Sequence, residues 1–148
     1  MLKGLGNDFM VVPLATGKHI SLKDASGITF VCYEDGGAQN IGIKESIAGA
    51  SEAVLSVVTE IYASDGVGSV WTRETTDANG ALGTGDGAIV KKDTTAFDCA
   101  AFYIGAEQLS AGFDSVEVTI DGAGLCIAIV HGLKARRAPQ NLPVVVVA

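Results

Sequence analysis

Short apolar segments alternate with clusters of glycine, aspartate and serine along most of the chain. Segments of roughly four to eight residues that are rich in β-branched or aromatic side chains and bounded by turn residues predict β-strands. They lie at 19–23, 28–34, 40–46, 53–64, 69–74, 97–105, 113–122 and 124–134. The segment at 53–64 is ambiguous between a strand and a helix, and its β-branched content favours a strand.

The segments between these strands predict little helix. AGASEAV at 48–54 is a candidate for a short helix or a turn, and EQLSAG at 107–112 predicts a turn or a single helical turn. Residues 75–95 are glycine-rich and predict a long hairpin or loop region. About eight short strands with frequent turns and no long helix predict an all-β fold, a single-domain antiparallel β-sandwich or jelly roll with extended termini.

Two of the predicted strands differ in the character of their faces. In VEVTI at 116–120, Glu117 and Thr119 alternate with apolar residues, which predicts one buried face and one half-exposed face. LCIAIV at 125–130 is apolar on both faces. We therefore expect it to be central in a sheet or covered on both sides, and the second possibility points to a partner subunit.

The length of the chain bounds its organisation. Its 148 residues, 48 % of them hydrophobic, predict one domain with a sizeable core. We expect an N-terminal arm or first strand at 1–18, a β-sandwich domain at 19–137 and a C-terminal tail at 138–148. No signal peptide is visible, and the longest apolar runs are too short to span a bilayer, so we expect no membrane association.

Charge is distributed unevenly. Residues 1–121 carry seventeen acids and seven bases, whereas residues 122–148 carry three bases and no acid. An acidic body argues against nucleic acid as a partner, because phosphate binding needs a positive face. The basic cluster near the C-terminus predicts either contact with an acidic protein surface or a solvated terminus.

The N-terminal stretch GLGNDFMVV at 4–12 resembles the first strand of diaminopimelate epimerases, which use two cysteines as an acid–base pair. In that family each catalytic cysteine begins a Cys-Gly-Asn-Gly stretch, whereas Cys32, Cys99 and Cys126 are followed by Tyr-Glu-Asp, Ala-Ala-Phe and Ile-Ala-Ile. We therefore reject this resemblance. The odd count and the apolar surroundings instead predict three buried free cysteines in a reducing compartment.

Other candidate motifs also lack the residues that their chemistry needs. DANGALGTGDGA at 77–88 begins like a calcium loop but has Ala88 where a bidentate glutamate is required. His19 and His131 have no acid, serine or metal-ligand spacing around them and are expected to be strand residues. Trp71 is expected to pack in the core. The sequence thus predicts no catalytic, cofactor-binding or metal-ligating residue.

A broader resemblance covers most of the chain. It rests on SLKDASGITFVCYEDGGAQNIGIKES at 21–46, on DTTAFDCAAFYIGAEQLSAGFDSVEVTID at 93–121 and on ARRAPQNLP at 135–143. The order of these segments resembles that of auxiliary virion proteins of tailed bacteriophages, in particular head decoration or capsid-stabilising proteins. The resemblance implies a non-enzymatic structural protein on the capsid surface of the virion, assembled in the host cytoplasm. It also implies the major capsid protein and further copies of the chain as partners, with a homotrimer expected.

In that interpretation the apolar termini and the basic cluster contact the partners, because extended arms can add strands to a neighbour's sheet. The residues assigned to this role are Leu5, Phe9, Met10, Val11, Val12, Lys134, Arg136, Arg137, Leu142, Val144 and Val146. Equally, the termini could be the first and last strands of the domain itself.

Two other functions remain open. The chain could be a ligand- or carbohydrate-binding β-sandwich module, although such modules expose several aromatic residues on one face and this chain is only 6 % aromatic. It could also be another phage structural protein, such as a head–tail or tail component.

Overall fold

The computed structural model describes residues 8–14, 18–33, 40–64, 70–75, 88–91, 99–120, 124–134 and 146–147. In chain order the strands of this part are β1 (Phe9–Leu14), β2 (His19–Ser21), β3 (Gly27–Tyr33), β4 (Asn40–Ile47), β5 (Ala50–Val54), β6 (Glu60–Ser64), β7 (Thr72–Thr75), β8 (Ala88–Lys91), β9 (Cys99–Gly105), β10 (Ser115–Ile120), β11 (Leu125–His131) and β12 (Val146–Val147). A single 3₁₀ turn, Ala106–Gln108, follows β9 within this part of the chain.

The strands form two antiparallel sheets. Sheet A has the order β1-β11-β3-β9-β6-β7, and sheet B has the order β12-β2-β10-β4-β5, with β8 also paired to β4. The predicted all-β sandwich is therefore confirmed, while its jelly-roll variant stays a prediction. In the described residues no helix has the length and apolar character needed to cross a bilayer.

The core lies between the inner faces of the two sheets. Phe30 on β3 and Phe102 on β9 are directly opposite in the register, and their ring centroids are 5.5 Å apart. Sheet B contributes aliphatic side chains such as Ile43 and Val116 to the same cluster. This follows from strand alternation, since every second residue of these strands points inward.

The segment at 48–54 is not helical, so the first of its two predicted structures, a short helix, was wrong. Ala50–Val54 forms β5, which pairs with β4 through a two-residue turn at Ala48 and Gly49. Both turn residues have positive φ, as a type I′ hairpin requires. The predicted helical turn after β9 is confirmed by the 3₁₀ turn, whereas most of the glycine-rich region at 75–95 lies outside the described residues.

The N-terminal segment supplies an edge strand of the domain. β1 pairs with β11 along its whole length, and Met10 and Val12 are buried in the core. The assignment of these two residues as partner contacts is therefore wrong, because their side chains already pack inside their own domain. At the other end of the chain, β12 pairs with β2 in sheet B.

Two further expectations about faces were wrong. Trp71 precedes β7 and is 50 % exposed, so it does not pack in the core. Glu117 was expected on a half-exposed face but is only 4 % exposed. By contrast, β11 is an internal strand of sheet A, as one of the two interpretations of LCIAIV required.

Candidate functional site

The outer face of sheet A is apolar and uncovered among the described residues. Because side chains alternate along each strand, the residues between the core positions point outward. Leu125 and Ile127 on β11, Val11 on β1, and Tyr33 and Tyr103 on β3 and β9 are all exposed. We call this surface the outer face of sheet A.

The register makes these side chains contiguous. One row across the sheet joins Val11, Ile129, Thr29 and Tyr103, and the next joins Pro13, Ile127, Val31, Ala101 and Tyr62. The four neighbouring strands β1, β11, β3 and β9 contain no Asp, Glu, Lys or Arg. The formal charge of −7 is thus carried by other parts of the chain.

A groove crosses one side of this face. It has a volume of about 330 Å³ and is lined mainly by apolar and aromatic residues of β3, β6 and β9 and by the segment before β6. Its walls are Thr29, Val57, Val58, Thr59, Glu60, Tyr62, Ala101, Phe102, Tyr103 and Gln108. At its border, Glu60 forms an ion pair with Arg73 of β7.

Glycine at position 27 positions one of these aromatic rings. A Cβ atom there would collide with the ring of Tyr103. The ring therefore lies over the backbone at Gly27, where its hydroxyl donates to the Ser26 carbonyl at 3.4 Å. The His131 ring lies beside it, with centroids 6.1 Å apart.

The opposite side of the sandwich has a different chemistry. Five residues of sheet B form a polar cluster on the face that points away from the core, which we call the His19 cluster: His19 (β2), Lys44 and Ser46 (β4), Glu52 (β5) and Glu117 (β10). His19 Nε2 lies 3.0 Å from Glu52 Oε1 and 3.6 Å from Glu117 Oε2, while its Nδ1 lies 2.8 Å from Ser46 Oγ. Hydrogen bonds from Lys44 and His19 lower the pKa of the Glu52 carboxyl.

Serine, histidine and glutamate in this order are the components of a nucleophilic triad, but the burial excludes that chemistry. Ser46 has no exposed surface, so no substrate carbonyl can approach its Oγ. The hydroxyl instead fixes the orientation of the His19 ring. The His19 cluster is therefore built for binding or stability and not for acyl transfer.

The cysteines lie on the other sheet. Cys32 and Cys126 are buried and directly opposite on β3 and β11, with their Sγ atoms 3.3 Å apart, whereas Cys99 is half-buried. The hydrogen bond with Cys126, together with burial, raises the pKa of the Cys32 thiol well above its usual range. This thiol therefore stays protonated and is a poor nucleophile.

The structure brings together only some of the residues predicted as partner contacts. Val11 is exposed on the outer face of sheet A, and Phe9 on the same strand is half-buried. Lys134 is exposed, and its Nζ donates to the Lys23 carbonyl at 2.9 Å. Val146 lies on β12, while Leu5, Arg136, Arg137, Leu142 and Val144 lie outside the described residues.

Neither the outer face of sheet A nor the His19 cluster was predicted from the sequence. The available signal for the outer face of sheet A was the two-sided apolar pattern of LCIAIV. No local signal could reveal the His19 cluster, because His19 and Glu117 become neighbours only through the pairing of β2 with β10.

Comparison of the chain with protein-family models, with curated proteins and with solved structures gives no match.

Proposed function

We propose that the protein is a non-enzymatic structural protein of a phage virion, a capsid decoration protein that attaches through the outer face of sheet A. The observation that supports this most directly is the uncharged, exposed apolar surface across four adjacent strands. A surface of this kind on a monomer is typical of a protein–protein contact.

The size of this surface is suited to such a role. Four strands about 4.8 Å apart and about seven residues long give a footprint of roughly 20 Å by 20 Å. This is on the scale of the largest apolar patches found on soluble monomers, which are often functional. A partner that covered Leu125, Ile127 and Tyr33 would remove their exposed apolar area from water, at about 25 cal/mol for each Å².

The same surface can serve two partners. The major capsid protein is the first, and another copy of the chain is the second, in the homotrimer that the resemblance implies. Repetition over a symmetric shell multiplies modest contacts, so the affinity of each copy need not be high. Among the described strands β1 has no partner on its outer edge, which lies beside this surface and offers main-chain groups for a further strand.

A carbohydrate-binding module is the second candidate, because the structure exposes more aromatic surface than the composition suggested. Tyr33, Tyr62 and Tyr103 all point outward from sheet A, and the last two line the groove. Exposed aromatic rings along a groove can stack on sugar rings.

Binding of the purified full chain separates the two candidates. We expect it to co-sediment with phage capsids that lack it and to form an oligomer in light scattering after size-exclusion chromatography. We expect no retardation in gels that contain soluble polysaccharides. Retardation by a polysaccharide without capsid binding would instead establish the module and overturn the decoration proposal.

A further inference from the structure

We propose that His19, Glu52 and Glu117 form a binding site for a divalent transition-metal cation of the Zn²⁺ type. The site lies on the side of sheet B away from the core, opposite the outer face of sheet A, and it is independent of the proposed capsid contact. It also departs from the sequence-based expectation that no residue ligates a metal.

The spacing of the donor atoms fits one cation. His19 Nε2 is 3.0 Å from Glu52 Oε1 and 3.6 Å from Glu117 Oε2, and the three donor atoms all lie within 4.8 Å of one another. Zinc–ligand bonds of about 2.0–2.2 Å place neighbouring ligand atoms of a tetrahedral site roughly 3.3–3.6 Å apart. Small side-chain shifts that widen the shortest separation and close the widest one would therefore complete a three-ligand set, with the remaining position open to water.

The second observation is a buried carboxylate oxygen without a hydrogen bond. Glu117 is only 4 % exposed, and among the described residues its Oε2 atom has no hydrogen-bond partner. A buried carboxylate oxygen in that state is unfavourable. Glu45, a buried glutamate of the same sheet, shows the contrast, since its Oε2 accepts a hydrogen bond of 2.8 Å from the Ser110 amide.

The orientation of the histidine ring is fixed as a metal ligand requires. Ser46 Oγ lies 2.8 Å from His19 Nδ1 and can accept its proton. In the metal-free protein Nε2 donates to Glu52, and a bound cation would replace that proton and take the Nε2 lone pair between the two carboxylates. Metal-binding histidines commonly have such a partner on the other ring nitrogen, because it fixes the tautomer and the ring orientation.

Glu52 gives the site its access and its charge balance. Its side chain is 42 % exposed, whereas His19 and Glu117 are buried, so a cation can enter past Glu52. Lys44 Nζ lies 3.1 Å from Glu52 Oε2, the oxygen that does not face His19. Two carboxylates and one ammonium leave the site with a net charge of −1 when the histidine is neutral.

The donor types select the class of metal. An imidazole nitrogen is a good ligand for Zn²⁺ and related transition metals, whereas Ca²⁺ and Mg²⁺ prefer oxygen donors alone. Three protein ligands on β2, β5 and β10 would join three strands of sheet B through one ion. Because the ligands come together only in the folded chain, binding would stabilise the fold.

The test measures Zn²⁺ binding to the chelator-treated full chain by calorimetry and by thermal unfolding. We expect one ion per chain and a rise in Tm of roughly 5–10 °C at a hundredfold excess over Kd. The spectrum of bound Co²⁺ should lack the thiolate charge-transfer band that binding by Cys32 or Cys126 would produce.

Two pairs of variants give matched controls. His19→Gln should abolish the rise in Tm, while His131→Gln, which changes the other histidine of the chain, should retain it. Glu117→Gln should abolish it without lowering the Tm of the metal-free protein, since it removes a buried charge and keeps the shape. Glu107→Gln, at an exposed position, should behave like the wild type.

Glu117→Gln decides the question even if His19→Gln fails to fold. The proposal is overturned if the wild type binds no Zn²⁺ at micromolar concentration. It is also overturned if Glu117→Gln retains wild-type binding or if the Co²⁺ spectrum shows thiolate ligation.

Discussion

Met10 and Val11 are adjacent on β1 but point to opposite sides of sheet A. Substitutions at these two positions therefore distinguish a core strand from a free arm. Met10 is 3 % exposed and packs in the core cluster, whereas Val11 is 43 % exposed on the outer face. Truncation of a buried methionine to alanine costs about 2–5 kcal/mol, because the lost burial is combined with the cavity left behind. Val11→Ala removes two methyl groups that are about half in contact with solvent, which predicts a cost below about 1 kcal/mol.

The difference between the two variants is therefore at least about 1 kcal/mol and is large against a total stability of roughly 5–15 kcal/mol. Urea unfolding followed by circular dichroism measures it, provided that the m-values of both variants equal that of the wild type. If Met10→Ala and Val11→Ala unfold within about 0.5 kcal/mol of each other, β1 does not contribute to the core. The segment would then be an arm, contrary to the pairing of β1 with β11.

Three further predictions concern other parts of the domain. Asp114→Asn should lower stability at neutral pH by about 1–2 kcal/mol, because the carboxylate accepts hydrogen bonds from the Ala48 amide and from the neighbouring serine hydroxyl. The hydroxyl, the amide and a nearby lysine lower the pKa of Asp114 in the folded state, so the stability that its carboxylate contributes is present at neutral pH and is lost as the pH falls through that lowered pKa. If the acid unfolding curve of Asp114→Asn is identical to that of the wild type, this prediction is wrong. Burial lowers the pKa of His131, so the unfolded chain takes up the proton first and stability should fall as the pH drops through about 6.5. The urea midpoints of His131→Gln should lack this fall between about pH 7.5 and 5.5, and a pH profile equal to that of the wild type would refute the assignment. Cys32 should react with iodoacetamide far more slowly than Cys99 in the native protein at pH 8, as mass spectrometry of labelled peptides can show, since its thiol is buried and protonated; equal rates would rule that out.

The β-rich architecture could be predicted from the sequence because its signal is local. Apolar residues that recur with a period of two mark strands such as β10, and frequent turn residues separate them. Most of β5 escaped prediction for a local reason as well, since only its last two residues fall within the strand predicted at 53–64. Its hairpin requires positive φ at Ala48, and alanine gives no sequence signal for that conformation.

The candidate sites could not be predicted in the same way, because they depend on pairing between distant segments. His19 and Glu117 are directly opposite in the register of β2 and β10 although 98 positions separate them in the sequence. A polar residue on an outward face was expected to be solvated, whereas Glu117 is buried beside His19. The two-sided apolar pattern of LCIAIV indicated part of the outer face of sheet A, but the extent of this face over four strands follows only from the strand order.

Ile127 and Ile47 allow the central claim to be tested with one matched pair. Both are isoleucines that are 45 % exposed, but the first lies on the outer face of sheet A and the second at the end of β4 in sheet B. Substitution by lysine adds a charge that a protein partner could cover only at a cost of more than about 1.4 kcal/mol, which corresponds to at least a tenfold loss of affinity.

The measurement is the binding isotherm of each full-length variant on purified phage capsids that lack the protein, with circular dichroism to establish that both variants fold. We predict that Ile127→Lys raises the apparent Kd at least about tenfold, while Ile47→Lys binds like the wild type. If Ile127→Lys binds with wild-type affinity, the outer face of sheet A is not the attachment surface.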